Sequence, residues 1–128
     1  MKLQNSLYTI LNTEMKDAAV CYNILLDKSH FIYKAHFPGE PITPGVCLIQ
    51  IAKELTGTYR QQTYNIQTIK NVKFLAVVSP TLTPNVTYML EKIAVDEETG
   101  DCKVQAVVTD TVTGTPLAKI SMTLKPIN

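Results

Sequence analysis

The sequence predicts a single α+β domain in which a largely antiparallel sheet wraps one long buried helix. Three observations carry that expectation. Beyond Tyr64 apolar residues alternate along four or five segments separated by hairpin turn residues, the mark of half-buried strands. Between Val46 and about Tyr59 the apolar spacing switches to that of a helix. Across all 128 residues no repeat or linker interrupts the pattern, so residues 1–128 read as one domain. An apolar content of 45% and a net charge of +1 are those of an ordinary folded chain large enough to bury a core.

The elements follow in order. Residues 1–35 read as a short N-terminal element and then a strand over 18–27, where Val20, Tyr22, Ile24 and Leu26 alternate. In the helix, Leu48, Ile51, Ala52, Leu55 and Tyr59 fall on one arc, a stripe broad enough to pack against a sheet. The next strand is expected over Ile66–Val78, with Ile66, Ile69, Val72, Phe74 and the run Leu75-Ala76-Val77-Val78. Ser79-Pro80 and Thr83-Pro84 end it, because proline cannot donate to a ladder. Val86, Tyr88 and Leu90 alternate next; Glu98-Thr99-Gly100-Asp101 supplies turn chemistry; Val104, Ala106 and Val108 face one way. Thr113-Gly114-Thr115 turns the chain again into Ala118, Ile120, Met122 and Leu124. An open sheet of this size exposes edges, so a dimer that covers one is expected.

Composition narrows the function classes. Eleven lysines and the single arginine, Arg60, against eleven acidic residues argue against a nucleic-acid-binding surface. Cys21, Cys47 and Cys102 are an odd number without paired spacing and sit among apolar residues, which reads as buried free thiols in a reducing compartment. The N-terminal stretch lacks the apolar run of a signal peptide and no segment is long enough to span a membrane, so a cytoplasmic location is expected.

The chemistry concentrates in His36-Phe37-Pro38-Gly39-Glu40-Pro41-Ile42-Thr43-Pro44-Gly45-Val46. Three prolines stiffen this loop, two glycines open it, and a helix begins at its end. A helix start offers free N–H groups and partial positive charge. An imidazole beside such donors suits acid–base chemistry next to a carbonyl, although a loop histidine can also cap backbone groups.

A strand, this run, and a helix wrapped by an antiparallel sheet resemble the hotdog-fold 3-hydroxyacyl-(acyl carrier protein) dehydratases. The motif His36 to Val46 matches that family's signature almost completely; Lys73-Phe74 followed by Pro80 resembles its next strand and turn. The resemblance implies dehydration of a 3-hydroxyacyl thioester to a trans-2-enoyl thioester in fatty acid or related acyl biosynthesis. It makes His36 the base that takes a proton from the carbon next to the carbonyl, and the backbone amides of Gly45 and Val46 the receivers of the thioester oxygen. It implies no cofactor or metal of the protein's own, the substrate riding on the phosphopantetheine of acyl carrier protein or coenzyme A. Its implied partners are acyl carrier protein and a second subunit, in a homodimer, a higher homo-oligomer or a heterodimer with another hotdog chain.

The chain departs from the family at the acid. Members carry Glu or Asp four residues beyond the Gly-Val step and often Gln four residues later; here these positions hold Gln50 and Glu54. A neutral amide cannot deliver a proton, but residues four apart share a helix face, roughly 5–6 Å apart. Glu54, its pKa raised beside an apolar face, is therefore the expected general acid, with Gln50 orienting it. The alternative for Glu54 is a solvated or salt-bridged helix residue, paired to Lys53 or Lys70.

Phe31, Tyr33, Phe74 and Leu75 are acyl-tunnel candidates or core residues. His30 reads as a strand-end or surface residue, since nothing completes a metal site with it. Cys47 reads as a packed small hydrophobe rather than a nucleophile. Arg60, Lys70 and Lys73 are available for an acidic carrier protein or are simply solvated. Two other functions stay open. One is an acyl thioesterase using Gln50 and Glu54 to hold water, although hotdog thioesterases usually lack the full loop motif. The other is a catalytically impaired subunit that binds carrier protein or pairs with an active homologue.

Overall fold

The computed structural model describes residues 2–127. Its elements are β1 (Tyr8–Lys16), β2 (Ala19–Leu26), α1 (Ile32–Ala35), α2 (Gly45–Arg60), β3 (Tyr64–Phe74), β4 (Asn85–Val95), β5 (Cys102–Asp110) and β6 (Pro116–Pro126). The strands form one six-stranded sheet in the order β1-β2-β4-β5-β6-β3, every neighbouring pair antiparallel. β1 and β3 are thus the two edges, and both expose apolar side chains: Leu11 and Met15 on β1, Ile69 and Phe74 on β3.

The concave face of the sheet holds α2. Val86, Tyr88 and Leu90 of β4, Val104, Ala106 and Val108 of β5, and Ala118, Ile120, Met122 and Leu124 of β6 all point into one core, as their alternation requires. Against them α2 buries Cys47, Leu48, Ile51, Ala52 and Leu55. Truncating wholly buried Ile51 or Leu55 to alanine would cost about 2–5 kcal/mol. The Tyr88 hydroxyl donates to the Leu48 carbonyl at 2.8 Å, tying sheet to helix through a group that burial would otherwise leave unsatisfied. At the far end Gln61 turns left-handed (φ 54°), and the chain folds back so tightly that a Cβ on Gly57 would lie 2.6 Å from the Gln62 carbonyl oxygen. Glycine is what lets β3 begin there.

Several boundaries differ from the sequence expectation. β1 is a full strand, hidden because it is an edge whose side chains are mostly polar and exposed. It joins β2 through Asp17-Ala18, both at positive φ (50° and 68°), a hairpin turn made without the usual glycine. β3 ends at Phe74: Leu75 and Val77 leave the sheet and stay exposed, and of that apolar run only Val78 reaches the core. Tyr59 is 44% exposed and lies off the buried arc. The short helix α1 was not anticipated; it places Tyr33 inside the core three residues before His36. No helix among the described residues is long and apolar enough to cross a membrane.

Candidate active site

The loop from His36 to Pro44 is crossed and anchored by a few backbone hydrogen bonds. The His36 N–H continues α1 by donating to Ile32 (3.0 Å), and its carbonyl accepts from the Ile42 N–H at 2.8 Å. Phe37 and Glu40 exchange backbone bonds across the exposed tip, and the Thr43 N–H donates to the Val78 carbonyl at 2.8 Å. Beneath these, the Tyr33 hydroxyl and Thr43 Oγ1 meet at 2.9 Å, both buried. Burial pushes the Tyr33 phenol above its ordinary pKa, so it remains a neutral partner.

Pro44, in extended conformation, caps α2 without a side-chain bond. Its carbonyl takes the Cys47 and Leu48 N–H groups, while the Gly45 and Val46 N–H groups donate to nothing among the described residues. The His36 ring is half-buried, contacts Phe37 edge-on at 5.5 Å and has no hydrogen bond among the described residues. Gly45 is needed sterically: a Cβ there would stand 2.5 Å from Phe74 Cζ. The Phe74 ring, from the end of edge strand β3, therefore lies against the helix start.

Two turns along α2 the chemistry is different. Gln50 Nε2 donates to Glu54 Oε2 at 2.8 Å, so these two residues do meet. Three further donors converge on the same carboxylate: the Leu3 N–H on Oε2 (2.8 Å), and the Gln4 N–H (2.9 Å) and Tyr8 hydroxyl (3.0 Å) on Oε1. Four donors on two oxygens are what a carboxylate anion accepts well. Gln50 and Glu54 thus meet as expected, and the same carboxylate also ties Leu3, Gln4 and Tyr8 to the helix. No lysine bridge to Glu54 occurs among the described residues. Burial, and then the neighbouring Glu54 charge, push the Tyr8 phenol far up, so it stays a donor. Nothing in the sequence linked Tyr8, Leu3 or Gln4 to Glu54, because these contacts span 46 to 51 residues.

Other expectations are redistributed. None of the principal clefts takes in more than one of the four tunnel candidates. Phe31 is 74% exposed and stacks on His30 at 4.5 Å; Tyr33 is buried; Leu75 is half exposed, its N–H on the Leu117 carbonyl. Tyr33 alone of the four lines a principal cleft, one of about 460 Å³ beside the loop that also takes in Lys28, His30, Lys34 and Phe37. Gln50 and Glu54 line a separate cleft of about 420 Å³ with Lys2, Gln4 and Lys53. His30 sits in the turn before α1 rather than at a strand end, its Nδ1 accepting the Ile32 N–H at 3.1 Å. The three cysteines are free and buried, and burial raises each thiol's pKa. Lys28 and Lys34, not Arg60, are the cations beside the His36 loop.

A six-stranded antiparallel sheet folded around one long helix, with a histidine loop at the helix start, is the hotdog fold. Solved structures of that class follow almost the whole chain at low identity. The dehydratase heterocomplex ApeI:P from Xenorhabdus doucetiae is 21% identical, with a TM-score of 0.62 over 91% of this chain and 96% of that one. A thioesterase candidate, yhdA of Lactococcus lactis, is 14% identical with a TM-score of 0.65 over 99% and 98%. A hypothetical thioesterase of Streptococcus pneumoniae, solved with coenzyme A, is 13% identical with a TM-score of 0.63 over 94% and 86%. The sequence profile of the ApeI dehydratases matches residues 12–111, and the chain belongs to this ApeI-like family. No curated protein matches it in sequence.

Proposed function

We propose that the chain dehydrates a 3-hydroxyacyl thioester to the trans-2-enoyl thioester. The observation that carries this reading is the union, in one loop and helix start, of a half-buried imidazole and two uncommitted amides. In it His36 takes a proton from the carbon next to the thioester carbonyl, since imidazole is the side chain suited to proton transfer near neutral pH. The Gly45 and Val46 N–H groups receive the carbonyl oxygen as negative charge builds on it. The bond from the third carbon to its hydroxyl then breaks, a double bond forms, and water leaves. Glu54 remains in its clamp, holding Gln50 in a separate cleft. The proton that His36 removed is returned to that hydroxyl, so the step balances with one base.

A second reading is favoured by the four donors that fill Glu54. A paired hotdog subunit supplies the acid, as a heterocomplex like that of the Xenorhabdus dehydratase would permit. Edge strand β3 is the natural seam: its apolar Ile69 and Phe74 are half exposed, and Phe74 reaches the start of α2. The acyl chain rides on the phosphopantetheine of acyl carrier protein or coenzyme A, with Lys28 and Lys34 near the loop for an acidic carrier.

The test is to incubate the purified chain with 3-hydroxyacyl and saturated acyl thioesters of both carriers. Enoyl absorbance supports dehydration and free thiol supports a thioesterase. Silence from both marks a binding subunit, and silence relieved by adding an active hotdog homologue supports the paired reading.

A further inference from the structure

Resting on the dehydratase reading, we infer that Tyr33 and Thr43 form a positioning pair that sets the His36 imidazole relative to the Gly45 and Val46 amides. His36 follows Tyr33 by three residues and Gly45 follows Thr43 by two. The 2.9 Å bond between their hydroxyls is, among the described residues, the one side-chain hydrogen bond joining the segment that carries the base to the segment that starts the helix. The loop has little else to fix it from the sides. Phe37, Pro38, Gly39 and Glu40 at its tip are exposed, so core packing does not hold them. The backbone rung from Ile42 to His36 lies above the pair, and the Thr43 N–H on Val78 anchors one side only.

A pair of buried hydroxyls can also exist merely to satisfy each other, and the two roles predict different behaviour. Removing one hydroxyl leaves the other buried without a partner, whereas removing both leaves an apolar contact of similar shape. If the pair only satisfies itself, the doubly apolar variant recovers everything. If it positions the base, that variant recovers stability and not turnover, because a misplacement well under an ångström weakens a proton transfer that substrate binding does not sense.

The experiment compares Tyr33→Phe, Thr43→Val, Thr43→Ser and the double variant Tyr33→Phe/Thr43→Val with the parent chain, in kcat, KM and melting temperature. We expect each single apolar variant to lose about tenfold in kcat with KM changed less than about twofold. Thr43→Ser keeps both values, and the double variant melts like the parent while its kcat stays low. A Tyr33→Phe kcat matching the parent, or a double variant whose kcat returns with its stability, overturns the pair. If the parent itself turns over no 3-hydroxyacyl thioester, the functional reading falls separately. The pair is then judged by NMR. Tyr33→Phe and the double variant should shift the His36 ring and the Gly45 and Val46 amide resonances while Thr43→Ser does not, and unmoved resonances overturn it.

Discussion

At the start of α2 the Gly45 and Val46 amides and the His36 ring have no hydrogen-bond partner among the described residues, whereas the Glu54 carboxylate further along the same helix accepts four. The first region thus has donors left to offer, whereas the Glu54 carboxylate is already occupied. A reacting group needs an open direction for the substrate, and a holding group is most effective with every direction filled. Glu54 was expected on the reacting side because it sits one turn from the family's acid position. The four donors it accepts are the ground on which we propose it for the holding side.

The largest expected effect is therefore at His36. His36→Ala should lower turnover of a 3-hydroxyacyl thioester by about 10²–10⁴-fold, the usual worth of a general base. Its melting temperature should stay near that of the parent, since the ring is half-buried and bonds to nothing described. A variant that keeps its turnover would erase the distinction between the two regions.

Glu54→Gln should show the opposite split. The amide offers one acceptor oxygen where two were used, and turns an NH₂ toward donors, so at least one backbone N–H or the Tyr8 hydroxyl is stranded. Stability should fall by about 2–3 kcal/mol, read as a lower urea midpoint. Assayed well below its melting temperature, it should retain turnover within about tenfold, as expected of a group that acts through another. If turnover instead collapses to the level of His36→Ala without loss of stability, Glu54 is the acid after all.

Gln50→Glu sharpens the contrast by placing a second carboxyl within hydrogen-bond reach of Glu54, where Gln50 Nε2 now donates at 2.8 Å. Two carboxylates so close cannot both ionise cheaply, so the introduced group has a folded-state pKa above its unfolded value of about 4.3. The sign follows: its protonated form bonds well in the fold, so the variant should match the parent below about pH 4 and lose stability as pH rises. Denaturant midpoints at pH 4 and pH 7 measure this. A variant as stable as the parent at both would mean the two side chains part easily and the clamp is weak.

The two regions also differ in how far they could be read from the chain. The His36 loop is contiguous, and its prolines and glycines announce its shape, so the loop and the helix start at its end were legible. Strands whose alternation faces the core, such as Val104-Ala106-Val108, were equally plain. The Glu54 clamp was hidden because its partners come from residues 3–8, whose pattern has no period and which meet α2 only through tertiary folding. β1 was obscured for a related reason: an edge strand with polar, exposed side chains lacks the alternation by which a strand is read. The Leu75–Val78 run misled in the other direction. Its apolar residues suggested a continuing strand, but the chain leaves the sheet at Phe74, whose ring lies against Gly45 at the start of α2.

Cys47 provides the smallest test, on the reacting side of the comparison. It lies in the first turn of α2, where the helix dipole favours a thiolate, but it is buried, and burial pushes its pKa up. Desolvation thus prevails over the dipole, and the thiol packs rather than reacts. Cys47→Ala should leave turnover unchanged and cost about 1 kcal/mol through the lost contacts of one buried heavy atom. Because the folded thiol titrates above the unfolded one, at about 8.5, its contribution is complete below that pH and declines as pH rises through it. The stability gap between parent and Cys47→Ala should accordingly be widest at pH 7 and narrow by pH 9.5. A gap that widens with pH would mean that the folded state favours the thiolate, and would return Cys47 to the reactive groups at the helix start.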